Sequence, residues 1–118
     1  MREASVAFPM PAIWFSGWMT ISVSSAMDGW FTPGHTPGHQ SLRVRLSASG
    51  DFLLSGDCCY TEEILDEDVL PGLVWNPSES VRAIRRLRAA RDWQGIRVIT
   101  GHDPETWAAF RKAPDCYR

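Results

Sequence analysis

The chemistry open to this chain rests on three histidines and an aspartate, each set in turn-forming sequence after an apolar stretch. His35 and His39 fall in Thr32-Pro33-Gly34-His35-Thr36-Pro37-Gly38-His39. Proline fixes φ and glycine admits backbone conformations closed to other residues, so such a turn can aim an imidazole rigidly. Asp57 follows Phe52-Leu53-Leu54-Ser55-Gly56, and His102 follows the run from Ile96 to Ile99 and Gly101. Polar residues just past hydrophobic strands are where the sites of layered folds gather. Neutral imidazole nitrogen and anionic carboxylate oxygen together suit Zn²⁺ or a similar divalent ion. A histidine standing alone is more often structural; it is the set, in matching contexts, that points to metal.

The elements that must position these residues are legible in part. Leu42, Val44 and Leu46 alternate with Arg43, Arg45 and Ser47, the period of a half-buried strand. Ser49-Gly50-Asp51 supplies a turn and Phe52-Leu53-Leu54 begins a second strand, so the pair reads as a hairpin. Asn76-Pro77-Ser78-Glu79 predicts a helix start, with Asn76 as cap, proline in the first turn and a glutamate able to reach back to the cap. That helix is expected to run to Ala90 or Arg91 with Val81, Ile84 and Leu87 buried. Arg82, Arg85, Arg86, Arg88 and Arg91 read as its solvated face. Trp93 and Gly95 end it, and Ile96 to Ile99 reads as a short buried strand. The acidic stretch Glu62 to Asp68 reads as an exposed loop. Residues 1–29 show no sustained period beyond a candidate strand near Met19 to Ser24, and form an unassigned segment ahead of a domain spanning 30–118.

Composition bounds the function. A chain of 118 residues is one small domain, and 44% hydrophobic with 22% charged residues is globular usage. A net charge of −2 supplies no field for holding nucleic acid or an anionic membrane. No run reaches the ~18 apolar residues of a membrane helix. The opening stretch has Arg2, an apolar tract and Ser24-Ser25-Ala26, yet Glu3, Pro9, Pro11, Ser16 and Gly17 break a signal-peptide pattern. Cys58, Cys59 and Cys116 make an odd set without a CxxC pair, which fits a reduced, cytoplasmic setting.

The strings TPGHTPGHQS, SGDCCY and ITGHD, in that order, resemble the second half of a metallo-β-lactamase superfamily domain. Within the superfamily they look most like the N-acyl-homoserine-lactone lactonase group, on the separation of His35 and Asp57, on Tyr60 standing just after Asp57, and on the acidic residue after His102. The match covers about residues 30–108. The resemblance implies the C-terminal half of an αββα sandwich: an α/β (α+β) fold with one mainly antiparallel or mixed sheet and a packed helix. It makes His35 a ligand of one Zn²⁺, His102 a ligand of the other, and Asp57 the bridge. Tyr60, with Asp57, would be catalytic, hydrogen-bonding the lactone carbonyl or the leaving alkoxide. His39 and Asp103 would support the site rather than ligate, and Cys58 and Cys59 would be buried as small apolar residues.

One departure bears on activity. The superfamily's HxHxDH motif, which supplies further ligands, is absent from a chain with only three histidines. The resemblance therefore implies a metal-dependent hydrolase of small lactone or ester substrates, present as a partial domain of low activity. Two other readings stand beside it: a non-catalytic remnant or interaction module, and a thioesterase relative of the glyoxalase II type. A half-domain would also leave one sheet face uncovered, to be met by Trp14, Trp18 and Trp30, by a second copy, or by an N-terminal half.

Overall fold

The computed structural model describes residues 27–118. The strand expected near Met19 to Ser24 lies outside the described residues. Four strands form one mixed sheet in the order β1-β2-β3-β4: β1 (Met27–Phe31), β2 (Gln40–Leu46), β3 (Gly50–Leu54) and β4 (Arg97–Ile99). The first three pair antiparallel and β4 joins β3 in parallel. A 3₁₀ turn (Gly56–Cys58), α1 (Glu62–Glu67) and α2 (Pro77–Gln94) connect β3 to β4, and α3 (Pro104–Ala109) follows. This is the α+β architecture with a mixed sheet and a packed helix that the resemblance implies. β1 begins at Met27 and crosses the boundary drawn at residue 30.

Residues paired across the strands share a face. Trp30, Arg43, Leu53 and Val98 therefore lie on one side, and Met27, Leu42, Val44, Phe52, Leu54 and Ile99 on the other. The first side carries the core: Leu53 and Val98 pack with Ala83, Ile84, Leu87 and Ala90 of α2, Ile64 and Leu65 of α1, and Ile96. Truncating a side chain as buried as Leu53 or Leu87 costs about 2–5 kcal/mol. Leu42, Val44 and Leu46 are half-buried as their alternation predicts, but their face points away from α2. On it, Phe52 is covered by the Tyr117 ring, with centroids 5.0 Å apart, while Phe31 and Leu54 stay exposed.

Four local expectations change. The hairpin turn is Ser47 to Ser49, and Gly50 and Asp51 already belong to β3, where Asp51 faces Arg45 and pairs with Arg43. Asn76 caps α2 through its Oδ1, 3.2 Å from the Glu79 amide, but Glu79 turns to Arg82 instead of reaching back. α2 runs on to Gln94 because Gly95, at φ 66°, provides the left-handed cap only there. Its buried stripe is Ser80, Ala83, Ile84, Leu87 and Ala90; Val81 is only half-buried, because Ser80 faces the loop ahead of β2.

The acidic stretch is not a loop. Thr61 caps α1, its hydroxyl accepting from the Ile64 amide at 3.3 Å, and Glu62 and Glu63 favour the first turn electrostatically. Ile64 and Leu65 are then buried. The arginine face of α2 is accordingly engaged: Arg85 and Arg88 both meet Asp68, Arg91 meets Asp66, and Arg88 donates to the Leu65 carbonyl. The pair at Asp68 holds its carboxyl below the usual range, Arg85 first. Among the described residues, no helix is long and apolar enough to cross a membrane.

Candidate functional site

The strand directions bring the chemistry to one end of the sheet. The C-termini of β1, β3 and β4 and the N-terminus of β2 all lie there. The TPGHTPGH string is the loop between β1 and β2, closed by the Thr32 amide on the His39 carbonyl at 3.0 Å. Asp57 sits in the 3₁₀ turn after β3, and His102 follows β4.

Two glycines set the approach. Gly34, at φ +146°, packs its Cα against the backbone and hydroxyl of Ser80, where a Cβ would collide. Its carbonyl accepts from the Trp75 amide at 2.8 Å and the Asn76 amide at 3.1 Å, which ties the His35 loop to the start of α2. Gly101 lies so close to the Gly56 carbonyl that a Cβ there would overlap it. With the Gly101 and His102 amides donating to the Cys59 and Tyr60 carbonyls, each at 2.9 Å, this contact sets His102 beside Asp57.

Both oxygens of Asp57 are addressed. His102 Nε2 lies 2.8 Å from Oδ1, and His35 Nε2 lies 3.5 Å from Oδ2. A carboxylate only accepts, so His102 carries its proton on Nε2. His35 differs, because its Nδ1 is 3.0 Å from the Leu73 carbonyl and must hold the proton there. In its neutral form the His35 ring thus turns the Nε2 lone pair toward an anionic oxygen, an arrangement that a cation between them would satisfy. A second ring nitrogen bonded to a carbonyl is also how metal-binding histidines are commonly oriented.

The donors fit divalent metal in kind but not in number. Among the described residues, no group of three or more His, Cys, Asp or Glu is arranged to hold a metal ion. The two histidines converge on one carboxylate, yet each faces a different oxygen, so each position has two protein donors against zinc's tetrahedral shell. The side chains of Asp57 and His102 are 47% and 58% exposed, so the site is open where further donors would enter.

Tyr60 packs beside both histidines, its ring centroid 4.4 Å from that of His102 and 6.4 Å from that of His35. Burial, and then the charge of Asp57, push its phenol up from its ordinary range, so it stays a proton donor at neutral pH. His39 is held by the loop itself: its Nδ1 is 3.1 Å from the Thr32 carbonyl and 2.9 Å from the Thr32 hydroxyl. Cys58 and Cys59 are buried in the core, and burial pushes both thiols up to about 12.

Sequence reasoning missed a buried hydroxyl set beneath the site. Thr32 meets Ser41 at 2.9 Å, Ser41 donates to the Ser55 carbonyl at 3.2 Å, and Ser55 donates to the Cys59 carbonyl at 2.8 Å. These bonds lock the ends of β1, β2 and β3 together. Small hydroxyls at strand ends carry no periodic signal, and only the position of Thr32 at the head of the TPGH string marked one of them.

No family model matches the chain. It is 46% identical over 87 residues to the N-acyl homoserine lactonase AttM of Azorhizobium caulinodans, covering 74% of this chain and 33% of that protein. It is 35% identical over 85 residues to the N-acyl homoserine lactonase AiiA of Bacillus thuringiensis subsp. kurstaki, covering 72% and 34%. The chain is a homologue of the N-acyl homoserine lactonases, a metallo-β-lactamase superfamily group. The solved N-acyl homoserine lactone hydrolase with N-hexanoyl-L-homoserine bound at its catalytic metal centre superposes with a TM-score of 0.71 at 32% identity, over 79% of this chain and 37% of that one. The dizinc quorum-quenching lactonase AidC shares the fold, with a TM-score of 0.58 at 20% identity over 78% and 32%. This lactonase homologue spans about a third of the length of the curated relatives it matches.

Proposed function

We propose that this chain is the part of a metal-dependent, quorum-quenching N-acyl homoserine lactone lactonase that supplies the bridging carboxylate and one histidine to each of two zinc ions. The observation that carries the reading is Asp57, whose two oxygens face the Nε2 atoms of His102 and His35. The names of the homologues support the substrate class: cyclic esters of homoserine bearing an acyl amide.

His35 and Asp57 would hold one ion and His102 and Asp57 the other. Bound there, the pair would supply Lewis acidity for an ester carbonyl and a water acidified enough to act near neutral pH. The chain's own residues do the rest. Leu73 keeps the His35 proton on Nδ1, leaving Nε2 free to ligate. To ligate through Nε2, a neutral His102 would carry its proton on Nδ1 instead and give up the 2.8 Å bond to Asp57. Tyr60, kept protonated, would donate to the lactone carbonyl or ring oxygen as charge develops on it.

With two protein donors per position, the isolated chain should hold zinc loosely and open lactones slowly. The test is ring opening of an N-acyl homoserine lactone, followed by acid release, with the chain joined to a lactonase N-terminal segment bearing HxHxDH. Zinc-dependent turnover, slowed by Tyr60→Phe with metal content unchanged, supports the reading. Full zinc occupancy without turnover would favour the non-catalytic alternative.

A further inference from the structure

Asp103, next to His102, bonds to two helices at once. Its Oδ1 accepts from the Glu105 and Thr106 amides at 3.0 and 3.1 Å, capping α3. Its Oδ2 accepts from the Glu62 amide at 3.1 Å, the first residue of α1. We infer that Asp103 is a positioning residue that sets the Tyr60 ring against the His102 ring by joining the N-termini of α1 and α3 through one carboxylate. The roles of Tyr60 and His102 rest on the function proposed above; the positioning is a property of the metal-free chain and is tested there.

The argument is one of closure. Tyr60 stands two residues before Glu62, and His102 one residue before Asp103. The His102 amide donates to the Tyr60 carbonyl at 2.9 Å, and the Glu62 amide returns the link to Asp103. Covalent and hydrogen bonds therefore close a small ring that contains both residues, and it fixes the 4.4 Å edge-to-face contact of their side chains. Among the described residues, this is the one side-chain hydrogen bond between the 59–62 and 101–103 segments. On the other side of His102, Gly101 meets Gly56 with no side chain to set the spacing.

A carboxylate is the group this geometry requires. Three amide donors are shared between its two oxygens. Asparagine has one oxygen and would turn an NH₂ toward whichever helix it did not cap. Serine is too short to reach past its own helix.

The test isolates the link to α1. Glu62→Pro deletes the single N–H donor at the first position of a helix, where proline is favoured, and Thr61 already has the extended backbone (φ −137°, ψ 162°) that proline demands of its predecessor. Asp103→Asn tests the same link from the other side, and Gly95→Ala is a destabilised control far from the site. The readout is the imidazole and phenol proton resonances of the metal-free full chain. The inference expects Glu62→Pro and Asp103→Asn to displace the His102 and Tyr60 ring resonances by several linewidths, with His35 and His39 moved far less, while Gly95→Ala lowers the melting temperature and moves none of them. His102 resonances unchanged in Glu62→Pro, or His35 and His39 moving as far as His102, would overturn it. A separate zinc titration of the unsubstituted chain reports on the metal site, so no zinc binding even at saturating Zn²⁺, with the displacement intact, would count against the proposed function alone.

Discussion

His35 gives its Nδ1 proton to the Leu73 carbonyl, 3.0 Å away, and so presents a bare Nε2 to Oδ2 of Asp57. His102 does the reverse, its Nε2–H donating to Oδ1 of the same carboxylate at 2.8 Å. In their neutral forms the two candidate ligands are thus opposite tautomers before any metal binds. Nitrogen chemical shifts of the metal-free protein, above the ordinary histidine titration range, should show Nδ1–H for His35 and Nε2–H for His102. Finding both in one tautomer would contradict the arrangement.

The seam between the His35 loop and α2 should be sensitive to single atoms. Asn76→Ala removes a cap worth on the order of 1 kcal/mol and should lower the unfolding midpoint accordingly. Gly34→Ala should cost more, roughly 2–4 kcal/mol, because the new methyl meets the Ser80 backbone and φ is +146°. Urea titration of the two variants ranks them; a milder effect for Gly34→Ala would show that the loop can move off α2.

Much of this frame was visible in the residues, and what was missed has physical causes. Asn76-Pro77 announces a helix because cap and proline act locally, and the ends of β3 and β4 are marked by apolar runs closing in glycine. The Asp57 pairing needed three chain segments to meet, which no local pattern encodes; only the resemblance supplied it. α1 escaped because six residues show less than two turns of periodicity, and its acidic surface is neutralised by arginines that sit on α2. The double use of Asp103 is equally non-local: its cap on α3 is readable from Asp103-Pro104, its bond to Glu62 is not.

Acid should lower the stability of the protein in two steps. Burial, the dominant cause, and then His35 hold His39 below 6.5, against the pull of the Thr32 carbonyl and Asp57. The unfolded chain therefore binds the His39 proton first, so its contribution is complete above 6.5 and is lost as pH falls through the lower folded value. Asp103 is held below 3.8, first by the Glu62 amide and then by that of Thr106, so its contribution is lost only further into acid. Unfolding free energy measured across this range should decline on acidification, and His39→Gln should remove the first decline. Stability that rises below 6.5 would contradict the sign.

The central claim is that Asp57 bridges two metal positions, each with its own histidine. Anomalous scattering at the zinc edge, from crystals grown with saturating Zn²⁺, tests it most directly. The account predicts two peaks flanking the Asp57 carboxylate, one on His35 Nε2 and one on His102 Nε2. Asp57 without a peak on either oxygen, or a single zinc bound elsewhere on the chain, would contradict it.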